Sequence, residues 1–184
     1  MQYILTHEEF KTVIETIRNG DEGHKPNERI AEARMYQANL GMRINDIIHM
    51  SLSSIVKDGE YYRLDIVEEK TGKKRVYIVP DAVYNRIENY CAENKINPRR
   101  RIFELTERAV QKHLKCVCDH LGLSNVSTHS FRKFAACQIY ENSGYDIEAT
   151  REFLQHANIG TTQRYIKRSR PQLERAILNS VNLL

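Results

Sequence analysis

The chain has 184 residues, of which 41% are hydrophobic and 28% are charged, and its formal net charge is +4. This composition is typical of one folded globular domain and argues against disorder. The sequence has no stretch of about eighteen apolar residues that could span a membrane, and Met1–Phe10 lacks the apolar core of a secretory signal. We therefore expect a cytoplasmic protein that does not bind a membrane.

The cysteines do not follow a zinc-binding pattern. The chain has four of them: Cys91, Cys116, Cys118 and Cys137. Cys116 and Cys118 are separated by one residue, and no second pair of cysteines or histidines stands at ligand spacing. We therefore expect reduced thiols in helices, with no metal and no cofactor.

Helical patterns fill the N-terminal part of the sequence. Thr6, with acidic residues after it, is typical of a helix start, and apolar residues then recur at helical spacing as far as Asn19-Gly20. A second helix is predicted over Ile30–Leu40, closed by Gly41. After that break, Arg43–Met50 is predicted to form a short helical turn with its isoleucines on one face.

The period then changes to that of β-strands. Three segments alternate or run apolar with β-branched residues: Leu52–Val56, Tyr61–Val67 and Arg75–Val79. Thr71-Gly72 is predicted at the tip of the hairpin between the second and third strands. Pro80 ends the last strand, and Asp81 is predicted to cap a helix that runs to Glu93.

The rest of the chain is predicted to be helical. Thr106 caps a helix whose buried face carries four apolar residues: Val110, Leu114, Val117 and Leu121. Beyond Asn125, breaks in the pattern fall at Asn142–Gly144, near Asn158–Gly160 and at Pro171. The expected fold is therefore mostly α with one small three-stranded antiparallel β-sheet, which is an α+β class.

Basic residues form three clusters along the sequence. Their members are Lys70, Lys73, Lys74 and Arg75, then Arg99, Arg100 and Arg101, then Arg164, Lys167, Arg168 and Arg170. One cluster alone is usually solvated surface charge, but three on a modestly charged protein favour a polyanionic partner. Six of these residues are predicted to hold the backbone phosphates of such a partner without reading its sequence: Lys73, Lys74, Arg99, Arg100, Arg101 and Arg164.

The C-terminal third carries the most specific pattern. His129 and Arg132 stand three residues apart at a predicted helix start, so they share one face of that helix. His156 follows, and Tyr165 comes nine residues after it. Upstream, Arg43 stands just after a glycine break in the helical pattern.

This set of side chains suits a phosphate diester. Guanidinium groups grip non-bridging oxygens bidentately and offset the negative charge that develops in a pentacoordinate transition state. A phenol is a weak nucleophile at its ordinary pKa and needs such a setting to attack phosphorus. The combination of two arginines, two histidines, a hairpin lysine and a late tyrosine therefore predicts phosphodiester chemistry.

The order and spacing of these residues resemble the tyrosine recombinase family, also called phage integrases, from about Leu5 to Tyr165. The family motifs are a glycine–arginine turn followed by an acidic residue, a hairpin lysine, a His-x-x-Arg box, a Leu-Gly-His box and the tyrosine. The matching residues are Gly41, Arg43 and Asp46, then Lys70, His129 and Arg132, then Leu154-Gln155-His156 and Tyr165. Gln155 stands where the family has glycine, which we interpret as a packing position.

The resemblance implies a reaction. Tyr165 attacks a scissile phosphate and leaves a 3′-phosphotyrosyl link with a free 5′-hydroxyl. A second 5′-hydroxyl then attacks that link, so that bond energy is conserved and neither ATP nor a metal is needed. The implied function is site-specific recombination or integration of DNA, as in phages and mobile elements.

The resemblance also implies a role for each remaining residue. Arg43 and Arg132 bind the phosphate oxygens, and Asp46 supports the arginine. His156 donates a hydrogen bond to the same oxygens, and His129 assists proton transfer near the tyrosine. Lys70 protonates the leaving 5′-oxygen.

Several alternatives stay open from the sequence. Lys73 or Lys74, on the same hairpin, could replace Lys70 if the turn is offset. Arg43 could instead cap or ion-pair a surface helix, and Tyr165 is one of ten tyrosines. The runner-up functions are a topoisomerase that forms the same phosphotyrosyl link and a non-catalytic DNA-binding accessory protein.

A domain organisation and a set of partners follow from the resemblance. We expect a single catalytic domain over residues 1–184, with a core at 1–165 and a tail helix at 166–184. The tail either docks on a neighbouring protomer or folds back on its own core, and the N-terminal core-binding domain of the family is expected to be absent. The expected partners are double-stranded DNA and other protomers in a tetrameric synapse.

Overall fold

The computed structural model describes residues 3–21, 23–67, 72 and 74–166, apart from the side chains of residues 75 and 77. The chain divides into two units, one ending at Ala135 and the other starting at Ala136. Several of the features predicted above therefore lie outside the described residues: Lys70, Thr71 of the hairpin tip, Lys73, the break at Pro171 and the tail from residue 167 onward.

The first helix, α1, covers His7–Asn19 and confirms the predicted start. The Thr6 hydroxyl accepts from the N–H of Glu9 at 3.1 Å, and the Glu9 carboxylate accepts from the N–H of Thr6 at 2.8 Å. This reciprocal capping box satisfies two N–H groups that the helix itself leaves unbonded. The apolar stripe of α1 then faces the core through Val13, Ile14 and Ile17.

Helix α2 covers Glu28–Leu40 and ends, as predicted, at Gly41. It begins earlier than predicted because the side chain of Asn27 caps it. Gly41 has φ +58° and ψ +19°, a left-handed conformation that costs a residue with a Cβ about 1–2 kcal/mol. The glycine thereby lets the chain turn directly into α3, Ile44–His49, whose three isoleucines are buried.

The sheet is antiparallel with the strand order β1-β2-β3, and the fold class is confirmed. The strands are β1 at Ile55–Asp58, β2 at Tyr61–Val67 and β3 at Lys74–Val79. Ile55 pairs with Leu64 and Tyr62 with Val79, so that alternate residues of each strand turn toward the core.

The predicted start of the first strand is wrong. Leu52–Ser54 forms a single 3-10 turn, in which the N–H of Ser54 donates to the carbonyl of Ser51 at 3.0 Å. The hydroxyls of Ser51 and Ser54 also lie 3.0 Å apart. Serine side chains that bond within their own segment favour turns over strands, so β1 begins only at Ile55.

Two further helices follow the sheet in the first unit. Helix α4 covers Asp81–Glu93, but the prediction that Asp81 caps it is wrong. Pro80 takes the cap position because its ψ of +141° is not helical, and Asp81 lies in the first turn, where the helix dipole favours a carboxylate. Helix α5, Glu107–His120, is capped by Thr106 as predicted.

The buried face of α5 is confirmed at Val110, Leu114 and Val117, whereas Leu121 is only half-buried because it follows the helix end. The four cysteines form no disulfide and lie in α4, in α5 and in the helix that follows, as predicted.

The second unit begins within α6, which covers Thr128–Asn142, and continues with α7 at Ile147–Leu154 and α8 at Ile159–Gln163. Asp146 caps α7 by accepting from two backbone N–H groups at 2.8 and 3.1 Å. The predicted break after α6 is confirmed. The next break lies slightly earlier than predicted, at 155–158, because Asn158 caps α8 and Gly160 falls inside it.

A buried carboxylate links three helices of the first unit. Glu32 of α2 is 2% exposed. Arg18 of α1 donates to it at 2.8 Å, and Arg86 of α4 donates at 2.6 and 3.0 Å. Burial by itself raises the pKa of Glu32, but the hydrogen bonds and charge of Arg86 and Arg18 outweigh burial and lower that pKa.

We expect Glu32→Gln to lower the free energy of unfolding by about 2–3 kcal/mol at pH 7, because it leaves two partly buried guanidinium groups without their counter-charge. Since the folded-state pKa is lowered, the wild-type advantage is present above the unfolded pKa and is lost as the pH falls through the folded one. The difference should therefore shrink below about pH 4. Urea denaturation at both pH values measures it.

The matched control is Glu15→Gln, which removes an exposed pair with Lys11 at 3.9 Å. Its expected cost is below about 0.5 kcal/mol. Equal losses in the two variants would contradict the proposed role of Glu32.

Candidate active site

A pocket of about 260 Å³ in the first unit collects four of the predicted site residues, Arg43, Asp46, His129 and Arg132. We call it the arginine pocket. Its complete lining is Gln37, Arg43, Ile44, Asn45, Asp46, Glu107, Thr128, His129 and Arg132. Residues from distant parts of the sequence therefore meet here, as the resemblance implied.

Arg43 is placed by the turn that follows Gly41. Met42 is fully buried and anchors this turn. Arg43 then takes the cap position of α3, with φ −70° and ψ +149°, and its side chain makes no capping hydrogen bond. The side chain of Arg43 therefore does not cap α3; it lines the arginine pocket. Asp46, which is 6% exposed, lies one turn further along α3 in the same lining.

The start of α6 supplies the other two residues. His129 and Arg132 share one face of the helix, as predicted, and both line the arginine pocket. Arg132 is 2% exposed, and its Nη1 donates to the carbonyl oxygen of Gly41 at 2.8 Å. Because an unpaired buried charge is costly, this bond fixes the guanidinium and ties α6 to the turn that carries Arg43.

A second buried arginine was missed by the sequence analysis. Arg34 Nη1 donates to Gln37 Oε1 at 2.6 Å, and Gln37 Nε2 donates to the carbonyl of Met42 at 3.2 Å. Arg34 is 0% exposed, and burial lowers its pKa to about 9. These two hydrogen bonds link Arg34 through Gln37 to the backbone of Met42, the residue before Arg43. No sequence signal marks it, because polar residues recur on several faces of α2.

The hairpin lysine stays a prediction. Lys70 and Lys73 lie outside the described residues. Lys74 is the first residue of β3; its side chain is exposed and lies 3.2 Å from the carboxylate of Asp65 on β2.

The second unit brings together the remaining two predicted residues, His156 and Tyr165. Their rings meet edge to face, with centroids 4.9 Å apart and an interplanar angle of 70°. His156 is 7% exposed, and its Nδ1 lies 3.0 Å from the hydroxyl of Thr162. Tyr165 is half-buried in the turn after α8, where its N–H donates to the carbonyl of Thr162 at 2.8 Å. Thr162 therefore positions both residues.

Gln155, where the family has glycine, ends α7 in the left-handed conformation, with φ +52° and ψ +40°. The site therefore constrains the backbone, which explains why glycine suits it. The turn is held by Arg151, which donates from Nη1 to the carbonyl of His156 at 2.9 Å.

The predicted DNA-binding residues that the structure describes lie at the surface. Arg99, Arg100, Arg101 and Arg164 are all exposed. Arg100 and Arg101 also line a second cavity of about 840 Å³ in the first unit, together with Arg29 and Lys95. That cavity is larger than the arginine pocket but includes none of the predicted catalytic residues.

The chemistry of these side chains indicates a class of protein. Two guanidinium groups and an imidazole around a small pocket suit a phosphate anion, and a tyrosine held against a buried histidine is a candidate nucleophile. The chain belongs to the phage integrase family, whose model matches residues 4–171. It is 28% identical over 188 residues to the tyrosine recombinase XerA of Pyrococcus furiosus, covering 98% of this chain and 62% of the relative.

Solved structures show the same fold. The XerH site-specific recombinase, bound to palindromic difH substrate in a post-cleavage complex, matches with a TM-score of 0.73 and 18% identity, over 95% of this chain and 51% of that one. The catalytic domain of bacteriophage HP1 integrase matches with a TM-score of 0.68 and 17% identity, over 98% and 96%. The fold is therefore that of a tyrosine recombinase catalytic domain.

The chain spans about three fifths of the length of the first curated relatives, 59% and 62%. Among the described residues, no helix is both long and apolar enough to cross a membrane.

The left-handed site before His156 gives a prediction about stability. Gln155→Gly should unfold with a free energy about 1 kcal/mol higher than Gln155→Ala, because both remove the side chain but only alanine keeps the strained Cβ. Chemical denaturation of the two variants measures the difference. Equal stabilities, or a more stable alanine variant, would show that the backbone at this position is not left-handed.

Proposed function

We propose that this chain cleaves and rejoins double-stranded DNA at specific sites, as a site-specific recombinase or integrase with Tyr165 as nucleophile. The observation that carries the proposal is the arginine pocket, where Arg43 and Arg132 line one small cavity with His129. The two non-bridging oxygens of a phosphodiester match two guanidinium groups, each of which can donate in a bidentate fork. The name of the relative, tyrosine recombinase, agrees with this chemistry.

In the proposed cleavage, the Tyr165 hydroxyl attacks the scissile phosphorus. The Oη–P bond forms as the bond from phosphorus to the 5′-oxygen breaks, and His129 assists removal of the phenolic proton. The leaving 5′-oxygen takes a proton from the hairpin lysine, for which Lys70 is the proposed residue. A second 5′-hydroxyl reverses these steps, so that no ATP and no metal is required.

The proposed site residues stabilise the negative charge that develops on the phosphate oxygens during this step. Arg43 and Arg132 bind the non-bridging oxygens, and His156 donates a hydrogen bond to the same oxygens. Asp46, buried in the first turn of α3, supports the orientation of Arg43. Arg132 is already fixed by its bond to Gly41, so it needs little reorganisation when the phosphate arrives.

The proposed partners are duplex DNA and further protomers in a tetrameric synapse. Solved relatives support DNA as a partner class, since XerH was determined with its difH substrate and lambda integrase as a dimer on a core site. We propose that residues 1–184 act as a single catalytic domain and that the tail beyond residue 166 contacts a neighbouring protomer.

The central test is a covalent adduct on a nicked suicide duplex, in which the cleaved fragment diffuses away and rejoining cannot occur. Because the target site is unknown, the duplex carries a randomised segment, and captured molecules are sequenced. We expect wild type to form the adduct and Tyr165→Phe to form none, because the phenolic oxygen that attacks phosphorus is gone.

Tyr145→Phe is the matched control, since Tyr145 is 52% exposed in the same unit. It should retain the adduct. Adduct formation by Tyr165→Phe, or its absence in wild type on the enriched sites, would overturn the proposal. Exchange of strands between two enriched duplexes separates a recombinase from a topoisomerase, which rejoins only the original strand.

The basic residues give a second prediction. Replacing Arg99, Arg100 and Arg101 together with alanine should weaken duplex binding and reduce the slope of log K against log salt by up to about 2.7, since each lost phosphate contact removes about 0.9. Binding to labelled duplex at several salt concentrations measures the slope.

The control removes the same charge from three exposed lysines elsewhere: Lys11, Lys112 and Lys115. Its slope should stay close to that of wild type. Equal slopes for the two triple variants would assign the arginine cluster to general surface charge.

A further inference from the structure

An aspartate and two histidines meet in the first unit, and none of them lines the arginine pocket. Asp21 and His24 lie in the turn between α1 and α2, and His120 is the last residue of α5. Asp21 Oδ1 is 2.7 Å from His24 Nδ1, and Asp21 Oδ2 is 3.0 Å from His120 Nε2. One ligand atom from each residue lies within 4.8 Å of the other two.

The turn holds its two donors in fixed positions. The backbones of Asp21 and His24 exchange two N–H···O bonds, both 3.1 Å long. Gly20 has φ +71°, and a Cβ there would lie 2.5 Å from the carbonyl oxygen of His24, so glycine is required for the turn to close. The side chains of His24 and Asp21 are also only 11% and 25% exposed. The ligand atoms are therefore preorganised.

Helix α5 adds one thiol and one imidazole to the surroundings of this cluster. Cys116 Sγ lies 3.2 Å from His24 Nε2, the ring nitrogen on the other side from Asp21. A metal-binding histidine commonly donates its second N–H to an acceptor that fixes the ring, and the sulfur stands where that acceptor is needed. One turn earlier on α5, His113 Nε2 is buried without a hydrogen-bond partner among the described residues.

We propose that Asp21, His24 and His120 bind Zn²⁺, with Cys116 accepting a hydrogen bond from the second nitrogen of His24. Zn²⁺ binds carboxylate oxygen and imidazole nitrogen at about 2.0–2.2 Å in a tetrahedron, which sets ligand atoms about 3.3–3.5 Å apart. The observed 2.7 and 3.0 Å are hydrogen-bond distances, so each imidazole nitrogen must move away from the Asp21 carboxylate by about 0.3–0.8 Å. One ligand nitrogen of each histidine lies within 4.8 Å of that of the other. Water takes the fourth position.

The choice of ion follows from the ligands. Two imidazoles and one carboxylate suit zinc among the abundant divalent ions, whereas Mg²⁺ and Ca²⁺ require oxygen ligands. The bound ion would link the α1–α2 turn to the end of α5, so its expected effect is on the stability of the first unit. The proposal is independent of the recombinase function, because its residues do not line the arginine pocket.

The test is titration of Zn²⁺ into the full chain, treated with a chelator and freed of any polyhistidine tag. We expect one site by calorimetry and a rise in Tm of about 5–10 °C when free Zn²⁺ is about a hundred times its Kd. Mg²⁺ at the same concentration should leave Tm unchanged.

Variants assign the ligands. His24→Gln and His120→Gln should each weaken zinc binding at least about 100-fold, and Cys116→Ala about tenfold, as expected for a group that orients a ligand. The control is His49→Gln on α3, whose Nδ1 lies 2.8 Å from the carbonyl oxygen of Asn45, and which should bind zinc like wild type.

Should a histidine variant not fold by circular dichroism, Asp21→Asn takes its place, since it keeps the size of the side chain and removes the charge. The absence of zinc binding by wild type would overturn the proposal. Equal affinities of wild type and the His24→Gln/His120→Gln double variant would overturn it as well.

Discussion

The hydrogen bond from Arg132 to the carbonyl of Gly41 is the contact on which the arginine pocket depends. It joins two segments far apart in the sequence at 2.8 Å, and its donor is almost completely buried. The acceptor belongs to the residue that ends α2 in the left-handed conformation. The same glycine therefore turns the chain toward Arg43 and presents the oxygen that holds Arg132, so one backbone conformation positions both guanidinium groups.

Buried charge at this site has an energetic cost that the rest of the first unit offsets. Arg34 is fully buried with only its Nη1 bonded, to Gln37, and two of its nitrogens have no hydrogen-bond partner among the described residues. Such a group destabilises a fold. Its hydrogen bond to Gln37, which in turn donates to the carbonyl of Met42, supports the turn before Arg43. Glu32, by contrast, has two arginine partners and stabilises the packing of three helices.

Much of this architecture follows from local sequence rules. Thr6 and Glu9, Gly41, and Thr106 each specify a helix end through one side chain or one backbone conformation, and those ends were predicted. The errors arose where two local rules compete. Ser51 and Ser54 bond to each other and replace the start of a strand, and Pro80 displaces Asp81 from the cap.

Contacts between residues far apart in the sequence do not follow from local sequence rules. The pattern of His129 and Arg132 indicates a shared helix face, but nothing in the sequence indicates that Arg132 bonds to Gly41. The cluster of Asp21, His24 and His120 is missed for the same reason. Asp21 and His24 are close in sequence, but His120 follows almost a hundred residues later, and the rules for metal sites detect ligands that are close in sequence. The left-handed backbone at Gln155 was not predicted, because such a conformation leaves no mark in hydrophobic periodicity.

The contacts of His156 in the second unit limit how this residue can act in the proposed reaction. Helix α8 has only five residues, too few to be stable by itself, so its position depends on its contacts. One of these is the bond between the Thr162 hydroxyl and His156 Nδ1, and Tyr165 follows directly after the helix. If His156 also donates to the phosphate, as proposed, it does so through Nε2, because Nδ1 already bonds to Thr162. His156 would then contact both Tyr165 and the phosphate. A change in the orientation of its ring would displace Tyr165 as well as the hydrogen bond to the phosphate.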